Sequence, residues 1–90
     1  MSQIIRRASA GTLESSDVFV QVAPGDSGID IRLDSVVQAQ FGDAILCVIH
    51  EVLHECDVDS AVITVQDRGA LDCVIRARVE TALLRGKGET

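Results

Sequence analysis

Aromatic residues are nearly absent from this sequence. Its 90 residues include two Phe and neither Trp nor Tyr, so few large side chains are available to anchor a core. Small aliphatic side chains must fill the core instead, since 47% of the chain is hydrophobic. A chain of this length buries only about 60% of its unfolded surface and supports one core. We therefore expect a single domain over residues 1–90, with loose ends at 1–9 and 87–90.

Positive charge is also scarce. Eight Lys and Arg residues stand against 14 Asp and Glu residues, which gives a formal net charge of −6 at pH 7. Such a chain repels phosphate backbones and anionic lipid headgroups, which argues against nucleic-acid and membrane partners. No apolar run approaches the roughly 20 residues of a membrane-spanning helix, and no apolar segment follows Arg6 and Arg7 as it would in an export signal. We expect a cytoplasmic protein.

The cysteines lack the number and spacing of a disulfide or zinc framework. There are three of them, an odd number, and no C-x-x-C pair occurs among Cys47, Cys56 and Cys73. Disulfides are rare in reducing compartments, where cysteines stay free. Free thiols in the cytoplasm are therefore the expectation.

The strands of the domain are predicted from alternation of apolar and polar residues. Residues 18–23 and 29–34 show this alternation, and Pro24 and Gly25 lie in the turn between them. We expect these two strands to pair as a hairpin. A third strand is predicted at 61–65, and a short additional strand at Thr12 and Leu13 precedes the others.

Two helices follow from apolar residues at helical spacing. Ser35 is positioned to cap the first helix, and the second runs from Ala70 to Arg85. The predicted fold class is α+β, a small, mostly antiparallel sheet with two helices packed on it, in the order (β)ββαβα. The buried stripe predicted for the first helix comprises Phe41, Ala44, Ile45, Val48, Ile49, Val52, Leu53 and Cys56.

A possible metal site lies on the first helix. Cys47, His50 and His54 recur at i, i+3 and i+7, with Asp43 one turn earlier, and these are zinc-ligand residue types. At 100° per residue, however, they lie opposite the apolar stripe, where an ordinary helix places its solvated residues. A cysteine nucleophile with a histidine base lacks an orienting third residue and an oxyanion donor. We favour a solvent-exposed face with no metal and no catalytic residue.

Charged residues of the second helix offer another possible site. Arg76, Arg78 and Glu80 could bind an anion or face a partner, yet Arg76 and Glu80 also have the i, i+4 spacing of an ordinary ion pair. Both interpretations stay open from the sequence. The ion pair is the simpler of the two.

The segment 11–17 is small, polar and placed before the first clear strand. A serine that is to be esterified by a bulky phosphate-containing group needs an exposed hydroxyl that a modifying enzyme can reach. Ser15 and Ser16 in this segment meet that requirement, although a generic surface loop has the same composition.

Three segments together resemble the acyl carrier protein, or gamma subunit, of citrate lyase. They are AGTLES at 10–15, QFGDAI at 40–45, and GALDC at 69–73 followed by RAR at 76–78. The resemblance extends over nearly the whole chain. It implies a phosphoribosyl dephospho-coenzyme A group attached by a phosphodiester to Ser15. Ser16 stands where the family often has glycine, and its adjacent hydroxyl makes it the second candidate.

The resemblance also implies a role and partners. The chain would be a non-catalytic subunit whose arm presents acetyl and citryl thioesters to an alpha subunit, the acyl transferase, and a beta subunit, the citryl lyase. A prosthetic group transferase would attach the arm, and an acetate ligase would acetylate it. The acids Glu14 and Asp17 beside the serine are expected to repel the arm's phosphates.

Several alternatives stay open. Citramalate lyase and malonate decarboxylase use related carriers. A small interaction or metal-binding module without an arm is the alternative from a different class of protein. The presence of the prosthetic group on the native protein distinguishes the carriers from that module.

Overall fold

The computed structural model describes residues 3–89; Met1, Ser2 and Thr90 lie outside the described part. The described residues form four strands and two helices in the order βββαβα. The elements are β1 Ala8–Gly11, β2 Val18–Ala23, β3 Ile29–Ser35, α1 Gln38–Glu55, β4 Ala61–Asp67 and α2 Asp72–Gly86.

The strands form one mixed sheet. Its order is β1-β2-β4-β3, with β1 antiparallel to β2, β2 antiparallel to β4, and β3 parallel to β4. The α+β class with two helices and a mostly antiparallel sheet is confirmed. The predicted hairpin of β2 and β3 is wrong, because β4 lies between them. A parallel neighbour requires a crossover, and α1 provides it between β3 and β4.

The first strand lies earlier than predicted. It covers Ala8–Gly11 rather than Thr12 and Leu13, and Ala8 and Ala10 oppose Val22 and Val20. Its residues are Ala, Ser and Gly, which have weak β propensity, so the sequence gives little indication of it. Pairing with β2 determines its position.

The core lies between one face of the sheet and both helices. Its largest fully buried side chains come from β2, β4 and the inner faces of α1 and α2. On α1 the predicted stripe is confirmed from Ile45 to Leu53. Phe41 is an exception at 55% exposed, and Ala44 is exposed as well, because the first turns of α1 border a groove and lack a covering element.

The start of α1 also differs from expectation. Ser35 is the last residue of β3, and the N-cap position is Val37, without a side-chain cap. The Ser35 hydroxyl accepts a hydrogen bond from the Val37 amide at 3.1 Å and donates one to Asp67 Oδ2 at 2.7 Å. Ser35 therefore joins the end of β3 to the end of β4 instead of capping the helix.

The described terminal residues pack against each other. Ile4 is 5% exposed, and the amides of Ile5 and Arg6 donate to the Gly86 carbonyl oxygen at 2.9 and 3.2 Å. The Lys87 side chain is 7% exposed and donates to the Cys56 carbonyl oxygen at 2.6 Å. Residues 4–6 and Lys87 therefore contact the rest of the domain, within the segments 1–9 and 87–90 where the sequence predicts loose ends. None of the described helices combines the length and apolarity needed to cross a membrane.

Candidate functional site

Ser15 and Ser16 lie in the connection between β1 and β2. This connection, residues 12–17, joins two antiparallel strands, and we call it the serine loop. Both serines are exposed. Within residues 3–89, the Ser15 hydroxyl makes no hydrogen bond, so both its proton and its lone pairs are available for reaction.

The carboxylate of Asp17 organises the serine loop. Arg78 of α2 donates to Asp17 through both Nε, at 3.2 Å to Oδ1, and Nη2, at 3.0 Å to Oδ2. The Thr12 hydroxyl donates to Oδ2 and the Val18 amide donates to Oδ1, each at 2.7 Å. This two-pronged arginine contact fixes both position and orientation of the carboxylate.

These contacts also keep Asp17 ionised. Hydrogen bonds from Arg78, then from Thr12 and the Val18 amide, lower the pKa of Asp17 from 3.8 to about 2. Each of these donors favours the charged form of the acid. The pair is therefore intact throughout the neutral range.

Backbone hydrogen bonds attach the same loop to the end of β4. The Ser16 amide donates to the Arg68 carbonyl oxygen at 2.8 Å, and the Arg68 amide donates to the Asp17 carbonyl oxygen at 2.9 Å. Within the loop, the Asp17 amide donates to the Glu14 carbonyl oxygen at 3.1 Å, and the Glu14 amide donates to Thr12 Oγ1 at 3.2 Å. The backbone on both sides of Ser15 is thus held while its side chain is free.

Two residues of this region have positive φ angles. Gly11 has φ 93°, and a Cβ atom there would lie 1.8 Å from the Val18 carbonyl oxygen. Ser16 has φ 67°, in the left-handed region that favours glycine.

The net negative charge beside the Ser15 hydroxyl is smaller than the sequence indicated, which favours the attachment of a phosphodiester. Of the two flanking acids, Asp17 is compensated by Arg78, so its repulsion of a nearby phosphate is offset. Glu14 is exposed and has no ion-pair partner within residues 3–89. The predicted repulsion is therefore offset at Asp17 by the Arg78 guanidinium, and at Glu14 it stays a prediction. An exposed primary alcohol on a fixed loop fits the chemistry of an esterified attachment point.

The outer face of α1 is solvated. Asp43, Cys47, His50 and His54 are all exposed, in agreement with the helical-wheel argument. No hydrogen bond joins Cys47 to His50 in the described part of the chain. Nor do residues 3–89 contain a group of three or more His, Cys, Asp or Glu side chains close enough to hold a metal ion.

The charged residues of α2 are paired differently from the expectation. Arg76 forms ion pairs with Glu51 and Glu55 of α1, and these replace the predicted pair with Glu80. Arg78 pairs with Asp17, a contact that sequence reasoning missed. No local pattern could have revealed it, since 61 residues separate the two partners.

Comparison with known proteins gives consistent matches. A family model described as "ACP: Malonate decarboxylase delta subunit (MdcD)" matches residues 5–86. The citrate lyase acyl carrier protein of Enterobacter sp. (strain 638) is 51% identical over 97% of this chain and 90% of its own length. Citrate lyase acyl carrier protein 2 of Salmonella typhimurium (strain LT2) is 47% identical over 98% of this chain and 92% of its own length.

One solved structure shares the fold. A chain of the crystal structure of a Pseudomonas malonate decarboxylase hetero-tetramer in complex with malonate aligns with a TM-score of 0.66 and 24% identity. The alignment covers 91% of this chain and 84% of the other. At that identity the similarity concerns the arrangement of strands and helices.

Proposed function

Because this chain belongs to the family of citrate lyase acyl carrier proteins, we propose that it is the non-catalytic carrier subunit of a citrate lyase and holds a coenzyme A derived arm on Ser15. The observation that carries the proposal is the exposed, unpaired hydroxyl of Ser15 on a loop whose neighbouring residues are fixed. Fixed flanking backbone presents one defined conformation to a modifying enzyme, which lowers the ordering cost of recognition.

The arm in this proposal is phosphoribosyl dephospho-coenzyme A, joined to the serine by a phosphodiester. When attached, it supplies a terminal thiol that carries acetyl and citryl groups as thioesters. The chain's own contribution is placement: Arg78, Thr12 and the Val18 amide hold Asp17, and the Arg68 backbone holds Ser16. A tethered thioester reaches partner active sites at high effective concentration without rebinding from solution.

The proposed partners act on the arm in turn. They are the alpha subunit, an acyl transferase, the beta subunit, a citryl lyase, the prosthetic group transferase, and the ligase that acetylates the thiol. The complex is proposed to work in the cytoplasm. Support for citrate as the substrate comes from relatives that are named for citrate lyase and are 47–51% identical to this chain. The likeness to the malonate decarboxylase structure concerns the fold alone and does not favour malonate.

Ser15 and Ser16 are distinguished by a pair of single substitutions. We expect wild-type protein, produced together with its prosthetic group transferase, to exceed its sequence mass by the mass of the arm. Ser15→Ala should remove the additional mass completely, and the adjacent control Ser16→Ala should retain it. Loss of the mass in Ser16→Ala alone would move the attachment point to Ser16.

The substrate of the complex is tested separately. The modified carrier, combined with its larger subunits, is expected to support cleavage of citrate in preference to citramalate. Decarboxylation of malonate by the same mixture would instead favour the malonate carriers. An unmodified native protein would support the small interaction module that needs no arm.

A further inference from the structure

An apolar groove lies between the first turns of the two helices. Its volume is about 480 Å³, and its apolar lining comes from α1, α2 and the residues just before each helix. The apolar lining residues include Val37, Phe41, Ile45, Ala70, Leu71 and Ile75. The floor is part of the core, since Ile45 is 3% and Ile75 is 1% exposed.

Large apolar side chains are exposed at this groove. Phe41 is 55% and Leu71 is 71% exposed, and Val36, next to the lining residue Val37, is 61% exposed. Phe41 belongs to the apolar stripe of α1 and would be buried if another element covered it. Contiguous exposed apolar surface of this kind marks an interaction site.

The groove adjoins the serine loop. The Ser16 amide bonds to Arg68, three residues before Leu71, so one connection between β4 and α2 forms a wall of the groove and supports the loop. The buried carboxylate of Asp67 fixes this connection by accepting hydrogen bonds from the Gly69 amide at 3.2 Å and the Ala70 amide at 2.9 Å. A protein seated in the groove would therefore be close to the attachment point.

Charge in the groove selects the chemistry of its occupant. Asp67 and Asp72 are among the lining residues, and neither Lys, Arg nor His is. The Asp67 carboxylate is buried and its oxygens accept hydrogen bonds from Ser35, Gly69 and Ala70, so the exposed carboxylate is that of Asp72. Its negative charge disfavours the phosphates of the arm itself and favours a cationic neighbour. We propose that the groove docks a segment of a larger lyase subunit that inserts an apolar side chain between Phe41 and Leu71 and places Lys or Arg beside Asp72.

This inference rests on the proposed function for the identity of the partner. It is tested in a Ser15→Ala background, which carries no arm, with the purified alpha and beta subunits of the same organism as probes. We expect Phe41→Ala and Leu71→Ala each to weaken binding to at least one subunit by roughly tenfold, as for residues at the centre of an interface. The matched control Ile5→Ala, 68% exposed away from the groove, should change the Kd less than twofold.

The charge component has its own control. Asp72→Lys should weaken the same binding and reduce its salt dependence, whereas Asp59→Lys, an exposed acid in the connection before β4, should leave both nearly unchanged. All variants replace exposed side chains, and thermal unfolding verifies that each is folded.

Three results would overturn the docking proposal. The first is equal binding by the groove variants and Ile5→Ala. The second is a self-associating carrier that Phe41→Ala makes monomeric, which would assign the groove to a second copy. The third requires the same substitutions in carrier that retains Ser15 and bears the arm: an effect on binding seen there and absent from the Ser15→Ala background would make the arm the occupant. Failure of the proposed function appears instead as a missing arm in the intact mass, with the docking measurement unaffected.

Discussion

The serine loop and the outer face of α1 both expose side chains capable of chemistry, but only one of them is held in place. On α1, Cys47, His50 and His54 recur at helical spacing and face solvent. In the serine loop, the residues that follow Ser15 are bound by α2 and by the end of β4. Reactive residue types alone therefore do not define a site. An unpaired hydroxyl, such as that of Ser15, on a backbone held by elements distant in sequence is better evidence for a functional site than exposed side chains on a helix.

Substitution of Gly11, where there is no room for a side chain, should have the largest effect on the stability of the domain. Gly11→Ala would place a Cβ atom 1.8 Å from the Val18 carbonyl oxygen at φ 93°. We expect it to lower the free energy of unfolding by about 3 kcal/mol, because backbone must shift to relieve the clash. Urea unfolding measures the change.

Gly28→Ala is the matched control for this prediction. Gly28 also has a positive φ, 76°, but no atom lies within 4 Å of the position that an added Cβ would take. The free energy of unfolding of Gly28→Ala should fall by only about 1 kcal/mol, because of backbone strain at the positive φ angle. An equal decrease in the free energy of unfolding of the two variants would show that the close approach of Gly11 to the Val18 carbonyl oxygen is unimportant for stability.

Release of the loop from α2 should have the next largest effect. Arg78→Ala removes both guanidinium contacts to Asp17 and leaves the serine loop held only by its contacts with Thr12, Val18 and the Arg68 backbone. We expect attachment of the arm to slow by up to roughly a hundredfold, because a displaced acceptor no longer fits the modifying enzyme. Time-resolved intact mass measures the rate.

Arg76→Ala serves as the control on the same helix. Arg76 pairs with Glu51 and Glu55 of α1 and does not contact the loop. Its attachment rate should match that of the wild type. An unchanged rate in Arg78→Ala would mean that the ion pair does not position the serine.

Acid should release the loop in a defined range of pH. The pKa of Asp17 is lowered to about 2 in the folded chain from 3.8, so its contribution to stability is complete above about pH 4 and is lost as the pH falls toward 2. Amide chemical shifts of Thr12 and Val18 should titrate in this range. In Asp17→Asn the corresponding titration should be absent, and its persistence there would assign the transition to another acid.

The outer face of α1 should show the smallest effect. His50→Ala and His54→Ala replace exposed side chains, so each should change the free energy of unfolding by less than about 0.5 kcal/mol. Arm attachment should also be unchanged. Tight zinc binding that both substitutions abolish would contradict the interpretation of this face as solvated surface.

The spacing of apolar residues in the sequence predicted most of the helices and strands, but it did not predict which strands pair in the sheet. Apolar stripes identified both helices and the strands containing Val20 and Val65, since burial of one face follows from local spacing. Which strands lie side by side is determined by tertiary packing. The position of β4 between β2 and β3 was therefore not predictable from the turn at Pro24.

The candidate site was predictable only in part. Ser15 is a candidate attachment point through resemblance to a family, and local composition adds only that its segment is polar. The contact of Asp17 with Arg78 and the groove at Phe41 arise from residues that are distant in sequence. Such features depend on the completed fold and leave no periodic pattern.

Localising the arm on the native protein decides whether Ser15 is the attachment point. Trypsin should release residues 8–32 as one peptide, because no Lys or Arg occurs between Arg7 and Arg32. Electron-transfer fragmentation of this peptide should place the whole additional mass on Ser15. A peptide of unmodified mass, or one modified at any other residue, would contradict the assignment.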